Sequence, residues 1–171
     1  MLTIKIMKKV ILASALLALG ATGAYAQHAG QFGVGVNLGV QPVIEGKGSP
    51  TNFLLGGRLQ YSATDLIRLA LDLNGGFEDD GVSTFTGTAN VDFMVPLSSG
   101  FYIYPTAGLG IGNIHVAYGD YKEDHIKFVF NIGIGGEYEF NKNWAAGLEF
   151  KYQYMKNYGS LPVFLNVSYK F

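Results

Sequence analysis

Cysteine is absent from all 171 residues, so an exported chain of this size has no disulfide to stabilise it and must be held together by other means. No helical membrane span is expected either. The one sustained apolar run, residues 10–19, falls short of the roughly 20 residues that cross a bilayer as a helix. Basic charge is scarce. Of 12 Lys and Arg, three are Lys5, Lys8 and Lys9 at the front of the chain; without them 9 face 13 acidic residues, a net charge of −4. That balance argues against a nucleic-acid partner. Only three histidines are present, which leaves little material for acid–base chemistry.

What is there begins with a targeting pattern. Lys8 and Lys9 precede the apolar run, and Gly20, small residues and Ala24-Tyr25-Ala26 follow. This order predicts a secretory signal peptide over residues 1–26, cleaved before Gln27, with Met7 as an alternative initiator. Residues 27–171 then read as one domain, with 24 glycines in the chain and 14% aromatic residues suiting a β architecture. A closed barrel could supply stability through backbone pairing alone.

Alternation is the dominant signal. In residues 161–171, Leu161, Val163, Leu165, Val167, Tyr169 and Phe171 fall on one face, opposite Phe164, Asn166, Ser168 and Lys170, because successive strand side chains point to opposite sides. Seven further segments obey the same rule. Phe32, Val34, Val36, Leu38 and Val40 open the series; Leu59 and Tyr61, Leu69 and Leu71, and Val91 and Phe93 continue it. Leu109 and Ile111, Ile132 and Ile134, and Leu148 and Phe150 complete it. Eight segments of about ten residues, apolar outward and polar or glycine inward, are the pattern of a transmembrane barrel. A soluble sandwich or lipocalin-like barrel would reverse the faces. The connections near residues 63–65, 97–100 and 141–143 are short, whereas 43–51, 75–83, 113–125 and 155–160 are longer, as periplasmic turns and outer loops should be. Outward aromatics gather at both ends in two interfacial girdles.

The expected fold is therefore all-β: an eight-stranded antiparallel up-and-down transmembrane β-barrel preceded by a cleaved signal peptide. On this alternation and the terminal Tyr169 and Phe171, the chain resembles the small eight-stranded outer-membrane barrels of the OmpA transmembrane-domain and OmpX type. These fall within the wider porin-like outer membrane protein β-barrel family. The resemblance implies an integral outer-membrane protein with periplasmic termini, in contact with outer-membrane lipid and lipopolysaccharide. It also implies that the barrel-assembly machinery recognises the strand ending in Tyr169 and Phe171. No peptidoglycan-binding domain follows Phe171, which departs from the OmpA pattern.

Parity places Arg58, Arg68, Lys127, Lys151 and Lys170 inward with Asp72, Asp92, Glu137, Glu139 and Glu149, five of each sign. Eight strands leave an interior that side chains can fill, and buried charges persist only when paired. An ion-pair plug is expected from Arg58, Arg68, Asp72, Asp92, Lys127, Glu137, Glu149 and Lys151, with Arg58 reaching Glu149 or Asp92 across the lumen. Inward glycines at 33, 35, 108, 110, 133 and 135 leave open a gated conduit, or simply make room for Arg58, Tyr102, Tyr104 and Phe164. With Asp65 cancelling Lys142 at the turns, the −4 is assigned to the outer loops. There Glu78, Asp79, Asp80, Asp120, Glu123 and Asp124 are candidates for contact with an extracellular ligand. Their spacing matches no calcium loop.

Catalysis is not expected. An esterase or acyltransferase needs a histidine within reach of a serine and an orienting carboxylate; His28 lies on the periplasmic side, and His115 and His125 have no serine at a pairing distance along a strand. The glycine runs at 108–112 and 133–136 lack the helix a phosphate loop needs. No cofactor or metal is expected. The reading is a surface-presenting scaffold with a plugged charged lumen, serving envelope integrity or adhesion; a narrow channel is the alternative, and a lipid A-modifying enzyme ranks third.

Overall fold

A computed structural model describes residues 28–45, 51–79, 82–118 and 121–171. The side chains of 78, 79, 82, 116–118 and 121–125 lie outside that description, as does the expected signal peptide. Ten strand segments make one antiparallel sheet: β1 (Phe32–Glu45), β2 (Thr51–Ser62), β3 (Ile67–Asp79), β4 (Val82–Phe93), β5 (Val95–Ser98), β6 (Phe101–Tyr118), β7 (Tyr121–Glu139), β8 (Trp144–Met155), β9 (Tyr158–Ser160) and β10 (Val163–Lys170). β5 continues the line of β4 past a break at Met94 and pairs with β6. β9 precedes β10 across Leu161 and Pro162 and pairs with both β1 and β8. The ten segments therefore form eight staves.

The sheet closes. β10 pairs with β8 on one side and with β1 on the other, from Gly33 opposite Lys170 to Val40 opposite Val163. Closure matters because unpaired backbone groups cannot be left facing hydrocarbon. The outward apolar residues named from the sequence are on the exterior: Val36, Leu59, Leu71, Val91, Leu109, Ile132, Leu148 and Val167 are all exposed, while their strand neighbours face inward. In a bilayer this exposed apolar band is the stabilising surface. Rings gather at the short-turn end, where Phe32 packs on Tyr61, Tyr138 on Phe140, and Trp144 on Tyr169, which in turn meets Phe171. At the opposite end Phe53 stacks on Phe77.

Three turns at the periplasmic end are short, as expected. In one of them Gly100 adopts φ 77°, a left-handed conformation that glycine reaches without strain, and its carbonyl accepts from the Glu139 amide at 2.7 Å. The outer connections differ from expectation. Much of 75–83 and 113–125 is strand, with β3 running to Asp79 and β6 pairing with β7 as far as Tyr118 opposite Tyr121. Residues 43–45 and 158–160 also extend the ladder. Antiparallel pairing continues past the apolar band because hairpin hydrogen bonds do not need an apolar face once water is available. The long loops are thus largely hairpin arms.

Candidate functional site

The lumen is built by the inward faces, and register decides which charges meet. A tight turn at 63–66 sets β2 against β3 so that Arg58 lies directly opposite Asp72. Likewise Arg68 on β3 lies opposite Asp92 on β4. Each arginine therefore grips first the acid on the neighbouring strand and then reaches across the barrel. Arg58 donates from Nε and Nη2 to the two Asp72 oxygens at 2.6 and 2.8 Å, and its Nη2 also contacts Glu149 Oε2 at 2.9 Å. Lys151 Nζ closes the group, 3.0 Å from Asp72 and 2.6 Å from Glu149.

Neutral side chains complete this upper cluster. Tyr104 donates its hydroxyl to Glu149 at 3.0 Å, and Asn90 donates to Asp72 at 2.9 Å. Asn37 donates to Asp72 at 3.4 Å and to Asn74 at 3.1 Å. The Tyr104 ring also stacks on the Arg68 guanidinium, whose Cζ lies 4.7 Å from the ring centroid, so one side chain joins two layers. Below it, Arg68 contacts Asp92 at 2.9 Å and Glu137 at 2.7 Å, and Lys170 contacts Glu137 at 2.7 Å and Glu139 at 2.5 Å. Arg58, Arg68, Asp72, Asp92, Glu137, Glu149 and Lys151 are all buried. Multiple partners for each charge are what make such burial tolerable, since an unpaired ion there would carry its full desolvation penalty.

Arg58 reaches Glu149, one of the two partners expected for it; Asp92, the other, pairs with Arg68, and the bidentate partner of Arg58, Asp72, sits one strand away. One expectation needs correction. Lys127 does not join the network. Its ammonium donates to the Lys156 carbonyl at 2.8 Å in an exposed position at the outer mouth. Parity fixes the face a residue occupies and not its height, and Lys127 stands two residues beyond Val129, above the lumen. The interior thus carries Arg58, Arg68, Lys151 and Lys170 against Asp72, Asp92, Glu137, Glu139 and Glu149, an excess of one acid over the fixed cations. His28 stands at that edge, with Nε2 3.5 Å from Glu139 and 3.0 Å from the Tyr102 hydroxyl. Asp65 holds the segment in place by accepting from the backbone amides of His28 and Ala29.

The inward glycines are filled from across the ladder. A Cβ on Gly135 would overlap the Tyr104 ring, one on Gly108 the Asn90 amide, one on Gly133 the Phe150 carbonyl and then the Lys151 stem, and one on Gly33 the Gln60 side chain. Toward the outer mouth the lining changes to an apolar layer of Val43, Ile114, Val129, Met155 and Tyr158. Sequence reading missed this layer, although the inward parity of Ile114 and Val129 carried the signal. The six acidic candidates of the outer end are divided. Glu78 and Asp79 end β3, and Glu123 and Asp124 lie near the start of β7; their side chains, and Asp80 and Asp120 altogether, are outside the described residues. Tyr169 pairs with Val34 and Trp144 in the ladders, and the Phe171 amide donates to the Phe32 carbonyl at 2.8 Å.

Known structures share this architecture. Neisserial surface protein A superposes with a TM-score of 0.74 at 18% identity, over 83% of this chain and 99% of that one. The N-terminal β-barrel domain of OprF from Pseudomonas aeruginosa gives 0.63 at 26% identity over 83% and 99%. Ail, the attachment invasion locus protein of Yersinia pestis, gives 0.61 at 17% identity over 84% and 99%. Among curated proteins none matches significantly. The outer membrane protein beta-barrel domain family matches residues 12–171. A closed eight-stave barrel with an apolar exterior, a polar interior and that family match make the chain a member of the outer membrane protein β-barrel family, integral to the outer membrane.

Proposed function

We propose that the protein is a non-enzymatic scaffold whose charged lumen is plugged and whose acidic outer hairpins face the exterior, for envelope integrity or adhesion. The observation that carries this reading is the double grip of Arg58, fully buried between Asp72 and Glu149 on opposite sides of the interior. A path for ions would have to separate charges that satisfy one another, and an apolar layer lies beyond them. Presentation is the mechanism: a rigid barrel holds the hairpin arms of β3–β4 and β6–β7 clear of the bilayer. Glu78, Asp79, Asp80, Asp120, Glu123 and Asp124 would give those arms an acidic character. Ail has been solved with the heparin analogue sucrose octasulfate; acidic arms would repel such a polyanion, so a neutral or cationic ligand suits this chain. Outer-membrane lipid and lipopolysaccharide surround the exterior, and Tyr169 and Phe171 serve as the signal for the barrel-assembly machinery.

Single-channel recording on refolded residues 27–171 in planar bilayers tests the reading. A silent wild type is the expected result. Discrete openings in the wild type, altered by Arg58→Ala, would overturn the plug and favour a narrow channel. Expression should leave lipid A masses unchanged; a mass shift dependent on the protein would overturn the non-enzymatic assignment.

A further inference from the structure

Between the ion-pair network and the apolar layer lies a tier of uncharged polar side chains. Gln41 stands opposite Asn52 in the β1–β2 ladder, Asn131 opposite Gln153 in β7–β8, and Gln153 opposite Ser160 in β8–β9. Part of the tier is satisfied internally. Gln41 donates to the Ser160 hydroxyl at 2.9 Å, and Thr84 donates to Gln41 at 3.2 Å. The rest is not. Both amide atoms of Asn52, both of Asn131 and Nε2 of Gln153 have no hydrogen-bond partner among the described residues, although these side chains are 0%, 1% and 5% exposed.

Buried amides are almost always hydrogen-bonded, because their desolvation is otherwise uncompensated. Among the described residues the layer above is Val43, Ile114, Val129, Met155 and Tyr158, whose hydroxyl is likewise buried without a partner. The missing partner must both donate and accept, carry no charge, and fit an enclosed space. We propose that Asn52, Asn131 and Gln153 hold a cluster of internal water, sealed from the outer surface by a lid made of Met155 and Tyr158. Water meets each requirement, and buried polar groups left without a protein partner are where proteins retain it.

The lid follows from the path of the chain. After Met155 the chain turns at Lys156 and Asn157, the latter with φ 64°, and Tyr158, Gly159 and Ser160 are all buried. β9 thus continues the barrel wall between β1 and β8, and Tyr158, opposite Met155, turns its ring into the mouth beside it. Met155 Sδ and Val129 Cγ2 both crowd the space beside Gly112, at 2.9 and 3.0 Å from where its Cβ would stand. The Lys127 ammonium holds the turn down through the Lys156 carbonyl. Water below can exchange outward only when this turn lifts. The inference goes beyond the scaffold reading, since a hydrated tier under an apolar lid is compatible with a plugged lumen or a gated one.

Water-to-protein cross-relaxation in the refolded barrel in lipid nanodiscs tests it. The side-chain amide protons of Asn52, Asn131 and Gln153 are expected to show cross-peaks to long-lived water, with the sign of a molecule tumbling with the protein. Absence of such peaks at all three would overturn the hydration site. Met155→Ala and, as a variant that leaves the packing intact, Lys127→Ala should each shorten the residence time and weaken those peaks. Peaks unchanged in both variants would overturn the lid while leaving the water.

Discussion

At the scale of single residues the lumen sorts its charges by how many partners each one has. Arg58 serves Asp72 and Glu149 together, so Arg58→Ala strands two buried carboxylates and leaves Lys151 to hold both. A loss of about 3–5 kcal/mol is expected, read from denaturant unfolding in lipid vesicles. Lys127→Ala should stay within about 0.5 kcal/mol, as an exposed position does. Two adjacent glycines make a sharper comparison. Gly135→Ala pushes a methyl into the Tyr104 ring, which must abandon either Glu149 or Arg68, and should cost about 1–3 kcal/mol. Gly136→Ala faces outward, where the nearest atom to a new Cβ is the Phe101 ring at 3.8 Å; a neutral result, or a gain of about 0.4–1 kcal/mol from a less flexible unfolded chain, is expected.

At the scale of elements the closing strand is the most constrained. Val167 on β10 is paired on both sides, with Val36 and with Ala146. Val167→Pro would remove a ladder donor in mid-barrel, where a strand paired on both sides has no place for proline, and should prevent closure. Loss of the compact species on unheated gel electrophoresis after refolding checks this. Strand identity and facing were readable because a two-residue period survives any error in strand ends. Strand length was not, because a charged pair such as Glu78-Asp79 at the end of β3 looks like loop to a pattern that equates strands with an apolar face. The Arg58–Asp72 pair could have been found. The short turn at 63–65 fixes the hairpin register, and counting outward from Ser62 opposite Arg68 places the two across from each other. The Arg58–Glu149 contact spans β2 and β8, and parity alone could only name it among candidates. Height along the barrel was the missing coordinate for Lys127, and the same lack hid the layer of Val129 and Met155.

At the scale of the whole molecule the bilayer acts as the second solvent, and the exterior is tuned to it. Leu148 is half exposed within the apolar band, so Leu148→Arg should cost about 2–4 kcal/mol of folding free energy in vesicles, whereas Ile44→Arg, next to Glu45 at the outer rim, should cost about 0–1 kcal/mol. Equal costs at both positions would show that the band is misplaced. Charge is partitioned at this scale too. Among the described residues the interior holds one excess acid, whereas parity alone had balanced the lumen and sent all four net negative charges outward. The Phe32–Phe171 contact carries a different kind of consequence. Because β10 meets β1 through a ladder as regular as any hairpin, the finished ring has no intrinsic first strand. A circular permutant, joined across that seam and reopened at an outer hairpin, should build the same cylinder with Phe171 now internal. It would separate what Phe171 contributes to the closed object from what it contributes by standing last in the chain.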